Sequence, residues 1–104
     1  MAETTAEAWL TQEVEDLLGE GPVGLYEFVW GLNGTDFGLP RNEAIALSRD
    51  VARRIVSSGR AQIFSVQWPG FEVVDGPLSL TTLDDTSAWS EGTSGPIIAL
   101  LPTT

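Results

Sequence analysis

Three residue types are missing from this chain of 104 residues, which contains no cysteine, no histidine and no lysine. Their absence excludes disulfide bonds, thiol nucleophiles, imidazole bases, Schiff-base lysines and the cysteine and histidine ligands of structural zinc. Most catalytic arrangements depend on one of these groups. We therefore expect no catalytic residue, no cofactor and no metal, and the sequence predicts a protein that is not an enzyme.

Long apolar runs are also absent. No stretch approaches the roughly 20 residues that a membrane-spanning helix needs. The N-terminal sequence MAETTAEAW has neither the basic region nor the continuous apolar segment of a secretory signal. We therefore expect a soluble, cytoplasmic protein that does not contact a membrane. With 42% hydrophobic residues, the chain can fill one core, so residues 1–104 are predicted to form a single domain.

Positive charge is scarce and is confined to one segment. Fifteen acidic residues face five arginines, which gives a net charge of −10, and all five arginines lie between residues 41 and 60. So negative a surface repels phosphate backbones and anionic lipid headgroups and favours basic partners. The charge balance therefore points to a basic protein as the partner, with DNA as a less favoured one.

The apolar spacing predicts three helices, at about residues 5–18, 24–32 and 40–58. Thr4 and Glu7 have the spacing of a capping box at the start of the first helix, and Gly59 is expected just after the end of the third. In the second helix, Tyr26 and Trp30 widen the apolar face. This helix is therefore expected near the centre of the core.

Strands are predicted at about residues 61–68, 71–74 and 96–101. Gly76-Pro77 is expected to end the second, and residues 78–89 could contain either a strand or a short helix. The first and third should be antiparallel neighbours that the third helix covers on one face. The residues expected in the core are Leu10, Val14, Leu17, Leu25, Val29, Leu32, Leu47, Val51, Ile55, Phe64 and Val66.

The order of these elements resembles that of a winged helix-turn-helix domain. The segment LLGEGPVGLYEF is similar to the end of the first helix, an extended link and the start of the second helix in such domains. The segment RNEAIALSRDVARRIVSSGRAQIFSV is similar to their recognition helix and first wing strand, so the similarity covers roughly residues 8–68. The resemblance implies an α+β fold, with a three-helix N-terminal part followed by a small antiparallel sheet.

Two features depart from the winged-helix pattern. The link between the second and third helices is longer than the tight turn of DNA-binding members, and a long segment separates Trp68 from Pro96 where a wing is normally short. Both departures weigh against insertion of the third helix into a DNA groove.

The candidate interaction residues are Arg49, Arg53, Arg54, Arg60, Trp68 and Trp89. Arg49 and Arg53 lie one turn apart on the side of the third helix without the apolar stripe. They could contact phosphates or guanine edges, or a protein, or they could form a solvated face in which Asp50 pairs with Arg53 or Arg54. Turn residues flank Trp68 and Trp89, which makes these two the candidates for partly exposed anchors.

Two functional hypotheses follow from the sequence. The first is a non-enzymatic acidic interaction module, a small regulator or inhibitor that binds a basic partner protein, either as an antitoxin or immunity-like protein or as a nucleic-acid mimic. The alternative is a winged-helix DNA-binding transcriptional regulator that uses its arginine-bearing third helix. Under either hypothesis the chain could also form a homodimer.

Overall fold

Three α-helices form the first half of the chain, close to the predicted bounds. The computed structural model describes residues 5–67, 70–90 and 96–103. The helices run over Ala6–Leu18 (α1), Leu25–Asn33 (α2) and Arg41–Ser57 (α3). Each buries one stripe of side chains in a common core, as amphipathic helices do. The buried hydrophobic residues of the three stripes are Leu10, Val14, Leu18, Leu25, Phe28, Val29, Leu32, Ala44, Ile45, Val51, Ala52 and Ile55.

The residues at the start of α1 and just after α3 can be compared with the predicted helix ends. Thr5 is the N-cap of α1, since its Oγ1 accepts a hydrogen bond from the Ala8 N–H at 3.0 Å. The Glu7 carboxylate binds Arg54, and Thr4, the other member of the predicted capping box, lies outside the described residues. At the other end, Gly59 follows α3 as predicted, in a left-handed conformation with φ +83° that glycine adopts without strain.

Four antiparallel strands form one sheet. They are Val23–Gly24 (β1), Ala61–Gln67 (β2), Glu72–Leu78 (β3) and Pro96–Pro102 (β4), in the spatial order β1-β4-β2-β3. The strands β2 and β4 pair along their whole length, from Ala61 opposite Pro102 to Gln67 opposite Pro96, as predicted. The predicted α+β class, with three helices followed by a small antiparallel sheet, is confirmed. The short strand β1 lies where the sequence indicated only an extended link.

The helices cover the opposite face of β2 from the one expected. Ala61 and Ile63 join the main core, together with Leu100 of β4. Phe64 and Val66 point to the other face, so their expected place in the helix-covered core is wrong. Alternation along a strand defines two faces but does not say which one the helices cover. Trp68, expected on the same face as these two, lies outside the described residues.

A second, smaller apolar cluster occupies this other face of the sheet. Its buried members are Val66, Ile97 and Ala99. The half-buried side chains packed against them are Tyr26, Phe64, Phe71 and Leu101. The side chains of Leu17 and Leu47, both expected in the core, are also only half-buried.

The strand β3 continues past the point where it was expected to end. It runs through Gly76 and Pro77 to Leu78, with irregular pairing against β2. Gly76 has φ +130°, a conformation that side chains rarely adopt, and a Cβ at this position would lie only 2.7 Å from Cδ1 of Phe64. Because glycine has no side chain, the backbone can pass close to Phe64 at this point, and the strand continues to Leu78.

Two short 3₁₀ helices, Leu80–Asp84 (η1) and Thr86–Trp89 (η2), connect β3 to the segment before β4. Of the two structures left open for residues 78–89, the short helix is therefore the main one. Both contribute a large buried side chain, Leu83 and Trp89. The Trp89 ring is only 1% exposed and meets Phe28 edge-to-face at 5.6 Å between ring centroids. Its Nε1–H donates to the Leu83 carbonyl at 2.9 Å, which satisfies its one polar group.

Two further properties of the described ranges complete the fold. None of the helices there is both long enough and apolar enough to cross a lipid bilayer. The buried side-chain oxygen of Ser48 on α3 has no hydrogen-bond partner, and it is the one such side-chain atom among the residues described.

Candidate interaction surface

Arg49 and Arg53 lie side by side on α3, as their spacing predicted, and both reach η1. The Arg49 Nε donates to the Leu83 carbonyl at 3.2 Å and lies 3.8 Å from Oδ1 of Asp84. The Arg53 Nη2 donates to the same Asp84 oxygen at 2.7 Å. A single carboxylate therefore neutralises part of the charge of both guanidinium groups.

Arg54 and Arg60 form ion pairs with α1. The Arg54 guanidinium binds the carboxylate of Glu7, and that of Arg60 binds the carboxylate of Glu15. All four side chains are substantially exposed, so we expect each pair to contribute about 0–1 kcal/mol to folding. Because these acids lie on another element, the sequence did not reveal them.

The local pairing considered for a solvated face of α3 does not occur. Asp50 is exposed, and among the described residues it is in no ion pair with Arg53 or Arg54. Both arginines reach past it to acids that are distant in sequence. The contacts of α3 are thus made across elements, where they tie α3 to α1 and to η1.

Arg41 differs from the other four arginines. It is exposed in the first turn of α3, and within the described ranges no carboxylate pairs with it. It borders an open groove that is also lined by Asn42, Ile45, Arg49 and Thr86. Arg41 and Arg49 therefore border the same groove, and Arg49 is also the one of the two that lies near the Asp84 carboxylate.

Most acidic side chains, in contrast, have no cation beside them. Thirteen of the fifteen acids lie in the described ranges. Three of these bind arginines, and ten are in no ion pair there. The ten are Glu13, Asp16, Glu20, Glu27, Asp36, Glu43, Asp50, Glu72, Asp75 and Asp85. The charge excess of the sequence is thus carried onto the folded surface.

Trp89, one of the two tryptophans expected to be partly exposed, does not reach the surface. Trp89 is buried, so its predicted role as a partly exposed anchor is wrong, and Trp68 lies outside the described residues. Among the tryptophans that the structure describes, Trp30 is exposed, at 56%, although α2 was expected to be central. With about 100° of rotation per residue, Trp30 lies well away from the Leu25 and Phe28 stripe, and this offset was the available signal. Tyr26 contacts Trp30 edge-to-face at 5.1 Å.

The strand β3 presents a second exposed apolar feature, which the sequence did not indicate. Val73 and Val74 are 53% and 56% exposed although they are adjacent, so the strand is open on both faces of the sheet. Glu72 and Asp75 flank them, and both acids are exposed. We call residues 72–75 the β3 edge, because within the described chain no strand pairs with the outer side of β3.

Neither metal binding nor known relatives narrow the function. Across residues 5–67, 70–90 and 96–103, no three acidic side chains converge in a way that could hold a metal ion. Comparison of the chain with models of protein families, with curated proteins and with solved structures finds no match.

Proposed function

We propose that this chain is a non-enzymatic acidic interaction module, a small regulator or inhibitor that binds a basic partner protein. The observation that carries the proposal is the asymmetry of pairing. Four of the five arginines are held by carboxylates of the same chain, whereas ten described acids have no cation. Uncompensated charge of one sign steers an oppositely charged protein toward the surface and speeds its association.

The ten acids without an ion pair are spread over the molecule, so its negative electrostatic field is broad. They occur on α1, α2, α3 and β3 and in the connections between elements, from Glu13 to Asp85. A basic partner would be attracted to several sides of the molecule, and its exact position would be set by apolar contacts. The same distribution suits an antitoxin or immunity-like protein and a protein that imitates the negative charge of a nucleic acid.

The experiment is a capture from native lysate at low and at high salt, after which each recovered protein is purified and titrated against the chain. We expect a basic protein whose affinity falls steeply as salt rises, because exposed charge pairs are screened. Competition with double-stranded DNA then separates the two roles, since a mimic and DNA occupy the same site of the partner. Recovery of no partner, or of one whose affinity ignores salt, would contradict the proposal.

The alternative is a winged-helix regulator that binds DNA with α3. It is supported by the element order, in which three helices precede the sheet and the link between α1 and α2 joins that sheet as β1. Against it, Arg49 and Arg53 would have to exchange Asp84 for phosphate. A gel shift at low salt tests it, with the double variant Arg49→Ala plus Arg53→Ala as comparison. Absence of a shift at micromolar protein, or a shift that the double variant leaves unchanged, would count against DNA binding.

A further inference from the structure

We propose that the β3 edge, residues 72–75, binds an extended basic segment of the partner as a fifth strand of the sheet. The inference rests on the proposed function and assigns it a place on the molecule. It combines three properties of this strand: its position in the sheet, its exposed valines and the sign of its charges.

Position makes the backbone of β3 available. It is the terminal strand in the order β1-β4-β2-β3, and it pairs with β2 on its inner side only. In a two-sided ladder, backbone N–H and C=O groups point alternately to either neighbour, so the outer groups of an edge strand are open to another chain. An added strand obtains affinity from these main-chain hydrogen bonds.

The valines supply the apolar contacts. Val73 is the register partner of Val66 and so lies on the same face of the sheet, whereas Val74 lies at a shift in register between Val73 and Asp75. An incoming strand can cover Val73 on that face, and Val74 is exposed beside it. Val73 and Val74 are 53% and 56% exposed, and a strand that packed against them would remove part of this apolar surface from water.

The length of the contact is limited by the residues that follow. Gly76 bends the strand at φ +130°, and Pro77 has no N–H to donate. The pairing with β2 also shifts register between Val73 and Asp75, so regular pairing is confined to the first residues of β3. A contact of this length is selective only if side chains contribute, and here charge adds the selectivity that the valines alone do not provide.

The charges select a basic segment over a second copy of the chain. The strand carries Glu72 and Asp75 and no base. If two copies paired edge to edge, acidic residues of both would meet across the ladder, which is destabilising, and two chains of net charge −10 would repel each other. A strand with Lys or Arg opposite Glu72 and Asp75 would gain attraction at the same positions.

The test uses a short synthetic peptide in which lysines flank a central pair of valines, matching the order of acids and valines in residues 72–75. Two control peptides accompany it: one with glutamate in place of lysine, and one with prolines in place of two central valines. We expect the basic peptide to bind in a salt-sensitive manner and to slow hydrogen exchange at the amides of residues 72–75. The acidic and proline peptides should bind at least tenfold more weakly, because they lose charge attraction or strand pairing.

A pair of charge-matched variants assigns the site. Glu72→Arg plus Asp75→Arg should weaken binding of the basic peptide about tenfold and strengthen that of the acidic peptide. Glu20→Arg plus Asp50→Arg changes the net charge equally at two exposed acids outside the sheet and should have a much smaller effect. Thermal melts of both variants verify that the fold is intact.

Three outcomes would overturn the inference. They are equal weakening by the two double variants, binding without new protection at residues 72–75, and dimers of the chain alone that protect the same amides. None of them refutes a basic partner protein, which the lysate capture tests separately. If the purified partner binds while the β3 variants change nothing, the proposed function stands and the β3 edge is not its site.

Discussion

The strands β3 and β4 have the same length, seven residues, and opposite roles. β4 lies between β1 and β2, buries Ile97, Ala99 and Leu100, and carries no charge. β3 lies at the edge, exposes every residue except Leu78, and carries two acids. Length and strand propensity are therefore poor guides to what a strand does. Its neighbours decide whether it stabilises the fold or remains available to another protein.

The charged side chains of α3 and β3 also differ in whether they find partners within the chain. Three arginines of α3 and Arg60, which follows it, contact carboxylates of η1 and α1, so cationic groups contribute to internal contacts. On β3, the acids have no cation among the described residues. One surface is electrostatically satisfied within the chain, and the other is complementary to something outside it. Four stability experiments test how far the buried parts of the fold differ from the edge strand.

Deleting residues 96–104 should have the largest effect. It removes β4 and leaves β1 and one side of β2 without a partner, so the sheet loses its central strand. We expect loss of cooperative folding, seen as the absence of a sigmoidal melt by circular dichroism. A truncated chain that still melts cooperatively would show that β4 is peripheral.

Replacing Leu100 or Val74 with alanine compares the strands directly. Leu100 is fully buried, so Leu100→Ala should cost about 2–5 kcal/mol of unfolding free energy. Val74 is more than half exposed, and Val74→Ala should cost less than about 1 kcal/mol, mainly through strand propensity. Urea denaturation measures both. Equal losses would mean that the edge strand is as important to the core as the central one.

Gly76→Ala should disturb the edge strand at its bend. The new Cβ would meet Phe64 Cδ1 at 2.7 Å and the Ile63 carbonyl oxygen at 3.0 Å, in a backbone conformation that alanine resists. We expect a loss of about 1–3 kcal/mol in the same assay. Gly70→Ala in the same hairpin is the control, since its Cβ would meet nothing closer than 4.0 Å. A Gly76→Ala protein as stable as this control would show that the bend is not constrained.

Ser48→Ala should give the smallest change, and its sign is informative. The buried Ser48 oxygen has no partner, so removing it relieves a desolvation cost without leaving a broken hydrogen bond. We expect a gain of up to about 1 kcal/mol, against no gain for Ser57→Ala on the exposed side of the same helix. A clear loss of stability would indicate that the hydroxyl is paired in solution.

Periodic sequence patterns predicted the helices and the pairing of β2 with β4. The stripes from Leu10 to Ile55 recur at helical spacing, and the apolar run from Ile97 to Leu101 could only be buried. The helices depend on neighbouring residues along the chain, whereas the pairing of β2 with β4 followed from the need to bury the apolar run in the sheet. The helices could be predicted because local spacing determines which side of a helix is apolar.

The candidate surface could not be predicted in the same way. The pairing of Arg53 with Asp84, the burial of Trp89 and the choice of Ile63 over Phe64 for the main core all depend on contacts between distant elements. In the sequence, the valines of the β3 edge resemble the valines of any other short strand. Only the order of strands in the sheet shows that this one has an open side.

The central place of β4 also has a consequence for the time course of folding. Val23 and Leu100 are register partners although one precedes α2 and the other follows every helix, so the sheet closes only when distant parts of the chain meet. Such long-range closure is slow, because the entropy of the intervening chain is lost before the contact is rewarded. During synthesis, the three helices and β2 emerge from the ribosome well before β4. Until it arrives, the nascent chain presents the unpaired backbone edge of β2 to its surroundings, which is the period in which misassembly or chaperone binding is most favoured.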